Sequence, residues 1–317
     1  MNSPLNKNDF PKPLSAPVVA SIIQSSRLAT AGQFISVVLI WSLTPLAAVW
    51  TVHELHWAWG LFIRFSLAIP IAMIFMTVFK LKIPLHPQAL LSYAAGALGL
   101  FLSMSFCYMG ASKVSSAMIS IIYGIAPLVS GLLSIFLFKN ERFSAYQWLG
   151  LILGITGLIF ALGLSSENLK LDYFGVVLEI IAMLFYVLSA FAVLQVNANI
   201  HPISQMTGST IMSWLGYSLL LPFFWADLPT QFPSLQTTVA LIYSALFSSV
   251  LAMICYYQLL NKVNPTTLML ITIMTPVLAT LWGSWLNHES LGADLIIGLV
   301  LLCSGLVLYS LAKRSEV

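Results

Sequence analysis

The chain has 317 residues, of which 59% are apolar or aromatic and 7% charged, with a net charge of +3. A soluble domain carries about 25% charged residues. These proportions therefore exclude an ordinary soluble enzyme, a nucleic-acid binder and a disordered scaffold, and leave a polytopic membrane protein.

Residues 1–30 are polar, contain Pro4, Pro11, Pro13 and Pro17, and lack the apolar core of a signal peptide. They read as a disordered cytoplasmic tail ahead of an uncleaved first span. Ten apolar segments follow, at 31–51, 57–79, 89–110, 114–138, 144–163, 173–194, 203–224, 236–260, 265–287 and 291–312. Backbone groups in hydrocarbon must be satisfied internally, and the segments lack period-two alternation. The prediction is an all-α integral membrane protein with ten transmembrane helices. Turn residues mark the breaks: Pro84 with Pro87, Lys139–Arg142, Ser165–Asn168, His201-Pro202, Pro229 with Pro233, Asn264-Pro265 and Asn287–Glu289.

With the N-terminus in the cytoplasm, the inner side receives Lys7, Lys12, Arg27, Lys80, Lys82, Lys139, Arg142, Lys313 and Arg314. The outer side receives Lys113, Lys170 and Lys262. The excess predicts cytoplasmic termini and an even number of spans. Glu141 and Glu289 are expected to close helices 4 and 9 on the cytoplasmic side. Lys113 and Lys262 are expected in tight outer turns, as helix C-terminal charges.

An internal repeat is visible. Residues 108–114 recur at 257–263, and Pro127 recurs as Pro276, at an offset of 149. Glu141 matches Glu289, and Gly157-Leu158 matches Gly305-Leu306, at 148. The halves 31–163 and 173–312 then hold five spans each. An odd number reverses the second half, which gives two inverted five-helix repeats. Secondary transporters follow this plan, with substrate near mid-membrane between the halves.

Several side chains stand out against the apolar background. Arg64 lies about seven residues into helix 2, roughly 10 Å deep. A charge there costs about 3 kcal/mol, so it must face protein or water, as an anion site, a gate ion pair, a structural arginine or a snorkelling one. Glu179, at similar depth in helix 6, is the only acid well inside a span. It is the candidate for proton coupling or for a substrate amine, or else a hydrogen-bonded strut, and its depth lets it pair with Arg64. Pro127 and Pro276 sit mid-span in helices 4 and 9, as symmetric kinks for gating or for packing. Ser116, Ser120, Tyr123 and Pro127 on helix 4, with Pro265, Met269, Thr272 and Pro276 on helix 9, form a partly polar stripe suited to a cavity wall. Trp41 and Tyr186 correspond at an offset of 145, and offer aromatic faces to an amphipathic substrate or to packing. Gly150, Gly154 and Gly157, echoed by Gly298 and Gly305, predict close helix packing. Cys107, Cys255 and Cys303 form no cluster, and His53, His56 and His86 lack metal spacing, so no metal or cofactor is expected. Motifs of hydrolases, metalloproteases and nucleotide-binding enzymes are absent.

Four segments carry a family resemblance: Leu39-Ile40-Trp41-Ser42, Phe62-Ile63-Arg64-Phe65, Ala126-Pro127-Leu128 with Glu141 and Gly150, and Thr275-Pro276-Val277 with Glu289 and Gly298. From about residue 31 onward the chain resembles a ten-helix EamA-type transporter of the drug/metabolite transporter (DMT) superfamily. It departs at Ser42, where many relatives have glycine. The resemblance implies a basket of helices around a central cavity, lined mainly by helices 1, 3, 4, 6, 8 and 9. It implies secondary transport by alternating access, without ATP, of a small polar or amphipathic metabolite. Export of an amino acid is the leading expectation, with protons as the candidate coupling ion. A bacterial inner membrane is the expected location, and a monomer or weak homodimer the expected state. The alternative is an intramembrane enzyme or a flippase for a lipid-linked metabolite. Paired acids in one membrane layer would favour it, and only Glu179 is available.

Overall fold

The computed structural model describes residues 16–137, 143–162, 172–260, 262–263 and 265–312. Glu141 with its basic neighbours, the 164–171 connection, Asn264 and the basic pair Lys313-Arg314 lie outside them, as do the side chains of Pro265 and Met269.

Among the described residues all regular structure is helical. In chain order, α1 is Ala16–Glu54 and α2 is Trp57–Val78. α3 is Pro87–Ala97, a π-helical stretch Leu98–Ser103, and Met104–Ala111. α4 is Ser116–Gly124 and Ala126–Leu137, α5 is Ala145–Ala161, α6 is Tyr173–Val196, and α7 is Pro202–Leu220. α8 is Leu235–Tyr243, a second π-helical stretch Ser244–Leu251, and Ala252–Leu260. α9 is Pro265–Asn287 and α10 is Ala293–Ala312. Eight of these helices are long and apolar enough to cross a membrane, and α5 is apolar but only 17 residues long. The protein is thus a multi-pass, all-helical membrane protein.

α7 is the polar member, and its polar groups are spent inside the protein. Ser204, Gln205, Thr207, Ser209, Thr210 and Ser213 are all buried. Gln205 Nε2 donates to the Ser92 carbonyl at 2.8 Å, and Ser92 Oγ donates back to Gln205 Oε1 at 2.6 Å. Ser204 donates to the Lys82 carbonyl, and Thr207 and Ser213 donate to carbonyls one turn back. With partners supplied in place, hydroxyls cost little in a low-dielectric setting.

Local chemistry explains the helix starts. His56, His86 and His201 precede α2, α3 and α7, and each Nδ1 accepts a backbone N–H, from Ala58, Ala89 and Ile203 respectively. Pro87 and Pro202 occupy the first turn, where the missing N–H costs nothing. Three points depart from expectation. α1 begins at Ala16, so residues 16–30 are helical, with Pro17 in the first turn. The two prolines do not make symmetric kinks. α4 breaks at Ile125, just before Pro127, whereas α9 runs unbroken through Pro276. Hydroxyls back the carbonyls around Pro276: Thr275 donates to Ile271 O at 2.6 Å, and Thr280 to Pro276 O at 2.8 Å.

The third departure concerns the ends of the bundle. Lys262 Nζ donates to Gln33 Oε1 at 3.1 Å, near the start of the apolar part of α1. Glu289 binds the opposite end, at the first turn of α4, with Asn287 beside it accepting from Trp50 near the end of α1. Lys262 therefore lies at the end away from Lys113, and Glu289 at the same end as Lys113. With Lys262 moved, the count of basic residues becomes ten against two.

α5 packs against α10 backbone to backbone. A Cβ on Gly150 would lie 2.6 Å from the Gly305 carbonyl oxygen, and a Cβ on Gly157 2.6 Å from that of Gly298. Only glycine fits such an approach. The main apolar core, which includes Leu61, Phe65, Ile121, Ile122 and Leu128, draws on α1 to α7 and α10 and surrounds Arg64 and Glu179.

Candidate functional site

The two π-helical stretches build the site. An extra residue per turn widens the helix and leaves carbonyls without their usual partners, a feature often found at functional positions. In α3, Tyr217 Oη donates to the Phe101 carbonyl at 2.9 Å, and Ser105 Oγ to the same carbonyl at 2.6 Å. In α8, Ser249 Oγ donates to Ser244 O, five residues back, at 2.9 Å. Each stretch presents a serine to a residue singled out from the sequence. Ser103 and the Tyr123 hydroxyl lie 3.1 Å apart, and Ser249 accepts from Arg64.

Arg64 is 4% exposed. Nη1 donates to the Tyr108 hydroxyl at 3.0 Å, Nη2 to Ser249 Oγ at 3.1 Å and Nε to the same oxygen at 3.3 Å. Glu179 is fully buried. Neither of its oxygens meets a nitrogen or oxygen donor, and the polar neighbour beside it is the Cys107 thiol. It presses on α3 at Gly110, where a Cβ would lie 2.6 Å from Oε1. Arg64 and Glu179 do not pair. They engage the same two turns of α3, at Tyr108 and at Cys107 and Gly110, on different faces.

The other expected site residues are spread around this layer. Tyr123 is half-buried, and its ring packs on Tyr186 with centroids 5.9 Å apart. Tyr186 is 46% exposed. Ser120 is buried and donates to Ser116 O at 3.0 Å. Thr272 is half-buried, and Pro276 is buried against Gly124, beside the break in α4. Trp41 stacks on Tyr256, with centroids 5.0 Å apart. The departure at Ser42 has a use: Ser42 Oγ accepts from Trp282 Nε1 at 3.0 Å and donates to Leu39 O, which ties α1 to α9.

At the end of the bundle nearer to Glu179 lies a cleft of about 430 Å³, bordered by Val49, His53, Ala111, Lys113, Asn287 and Glu289. Glu289 accepts the first free N–H groups of α4, from Ser116 at 3.0 Å and Ala117 at 3.2 Å, so it serves as an anionic cap. Asn287 Nδ2 donates to Glu289 Oε1 at 3.0 Å. Lys113 pairs with Asp172 at 3.2 Å across the rim. Asp172 also accepts the Gly175 N–H, and that bond first, then Lys113, holds its carboxyl below the usual aspartate range.

Sequence inspection overlooks Tyr108, Ser103, Ser249 and the capping role of Glu289. Tyr108 was within reach, because it opens the repeated segment. Ser249 gives no signal, since a π-helical stretch has the same composition as the helix around it.

The family model described as "EamA-like transporter family" matches residues 30–163 and 173–311. The "Uncharacterized transporter YoaV" of Bacillus subtilis is 27% identical over 280 residues, covering 86% of this chain and 93% of its own. The "Uncharacterized inner membrane transporter YedA" of Escherichia coli is 27% identical over 203 residues, covering 63% and 64%. "Protein PagO" of Salmonella typhimurium is 23% identical over 288 residues, covering 90% and 93%. A solved crystal structure, described only as that of a protein, superposes with a TM-score of 0.67 at 18% identity, covering 92% of this chain and 99% of its own. It bears on the fold alone.

Proposed function

The chain belongs to the EamA-like transporter family, and from that premise we propose that it is a secondary active transporter working by alternating access, without ATP. All ten helices cross the membrane as two inverted five-helix repeats, 31–163 and 173–312, with both termini cytoplasmic in a bacterial inner membrane. Three observations support this architecture. The family model matches twice in tandem. At the offset of 149, residues 98–103 fall on 247–252, so the two π-helical stretches overlap in register. Finally, Gly150 and Gly157 correspond to Gly298 and Gly305 in the repeat, yet Gly150 meets Gly305 and Gly157 meets Gly298. Such crossed contact is what a two-fold axis produces. The basic-residue count supports the orientation.

Glu179 carries the mechanism. It is a fully buried carboxyl with no oxygen or nitrogen partner, packed on Gly110, whose neighbour Ala111 borders the cleft. A neutral, protonated carboxyl tolerates that position, whereas an anion there requires water or a cationic partner. Exposing Glu179 to one side and then the other moves a proton. Coupled to Tyr123, Ser120, Trp41, Tyr186 and Thr272 as cavity lining, with Pro127 and Pro276 at the crossing of α4 and α9, this drives a small polar metabolite such as an amino acid outward.

The test is uptake of labelled amino acids into liposomes holding the purified protein, with and without a pH gradient. The wild type should accumulate substrate only with the gradient. Glu179→Gln should lose accumulation and keep counterflow exchange, because exchange needs no net proton transfer. Gradient-driven accumulation that survives in Glu179→Gln would remove Glu179 from the coupling. No uptake of any amino acid would reject this substrate class.

A further inference from the structure

Arg64 has an environment that a merely structural arginine does not need. Its guanidinium carries five N–H donors and a permanent charge. Its hydrogen-bond partners are two neutral hydroxyls, Tyr108 and Ser249. The rings of Phe65 and Tyr108 lie 5.9 Å from its Cζ. Among the described residues the recorded ion pair is Lys113–Asp172, and no carboxylate reaches Arg64. Nor does it bond to a helix-end carbonyl. A charge buried without a counter-charge is a standing cost to the fold.

One of the two hydroxyls can donate to an anion placed beside the guanidinium. Ser249 Oγ spends its proton on Ser244 O, so its lone pairs face the guanidinium. The Tyr108 hydroxyl accepts from Nη1 and keeps its own proton free to donate. Arg64 and Tyr108 come from the first half of the chain and Ser249 from the second. Ser249 is half-buried, while Arg64 and Tyr108 are buried.

We propose that Arg64 and Tyr108, with Ser249 holding the guanidinium in place, form a subsite for an anionic group of the transported molecule, a carboxylate or a phosphate. This rests on the reading of the chain as a transporter and narrows its substrate class. The planar fork of arginine matches both anions with two parallel hydrogen bonds. Tyr108 adds a third donor, and the bound charge neutralises Arg64. Because the subsite draws on both halves, it is complete only while they are closed upon it.

The experiment is thermal unfolding of the purified full chain at constant ionic strength, with sodium acetate, sodium phosphate or glycinamide hydrochloride against sodium chloride. Acetate or phosphate should raise the wild-type melting temperature by a few degrees relative to chloride. Whichever acts identifies the anion. Glycinamide, which lacks the anionic group, should not act. Arg64→Met and Arg64→Gln should lose the anion response. Without ligand, both should melt at or above the wild-type temperature, because they shed an uncompensated charge. The proposal is overturned by an absent anion response in the wild type, by an equal response in the variants, or by ligand-free melting temperatures that fall in both. The transporter reading fails on a different result, the absence of transport, so the two stand or fall separately.

Discussion

Among the described residues Arg64 and Glu179 are the charged-type side chains that are buried, and both meet α3 without meeting each other. Equal depth along the sequence suggests a pair, but depth carries no information about the angle around a helix axis. Tyr108 faces one and Gly110 the other, so α3 separates them. A double-mutant cycle with Arg64→Gln and Glu179→Gln, read as stability, should therefore add to within about 0.5 kcal/mol. A coupling of several kcal/mol would mean that the charges pair after all. Asp172 allows a pH prediction. Its carboxyl is held below the ordinary aspartate value of 3.8 by Gly175 and Lys113. A group depressed in the folded state stabilises above its unfolded value and loses that contribution as pH falls through the folded one. The wild type should thus melt above Asp172→Asn at pH 6, and the difference should close as pH falls below the ordinary aspartate value. Both partners are exposed, so the effect is small.

At the scale of elements, helices and their ends follow from composition and capping chemistry. Apart from the start of α1, the apolar segments mark the helices to within a few residues, and Pro87, Pro202 and Asp172 fall at starts. What was not legible depends on partners. The π-helical stretches interrupt α3 and α8 without any change of residue type, because the carbonyls they leave are answered from elsewhere, by Tyr217 in one case. Proline alone would predict equal kinks at 127 and 276, whereas α4 breaks at Ile125 and α9 is continuous through Pro276. The glycine stripe, in contrast, was legible, since small residues at helical spacing on two helices leave close packing as their plain use. Gly157→Leu should therefore be costly. Its side chain would enter the space of the Gly298 carbonyl and Leu302 N–H. A loss of about 3 kcal/mol is expected, read as a fall in melting temperature. Leucine at Gly292, which has nothing within 4 Å of its Cβ position, should leave melting unchanged.

For the whole molecule, orientation is the claim most open to direct test. A cysteine placed at Ser112, beside the cleft, should react with an impermeant maleimide on intact cells. One placed at Ser315 should react only after the membrane is opened. Ser166, in the connection outside the described residues, should behave as Ser112 does. Reversed reactivity would invert the bundle, and labelling of Ser112 and Ser166 on opposite sides would break the proposed repeat. The sequence carried the all-helical, multi-pass character of the chain, because composition and hydropathy follow directly from it. It did not carry the side on which each repeated residue lies, and there Lys262 and Glu289 were misplaced until their contacts with Gln33 and Ser116 fixed them.

The glycine contact between α5 and α10 has a mechanical meaning. Ordinary helix pairs are cushioned by side chains that can change rotamer, so they slide and tilt with little resistance. Here carbonyl oxygens and amide groups meet without that cushion, and the separation between the last helices of the two halves is fixed by hard atoms. A joint of this type behaves as a pin. Two helices joined in this way resist separation far more than rotation about their point of contact.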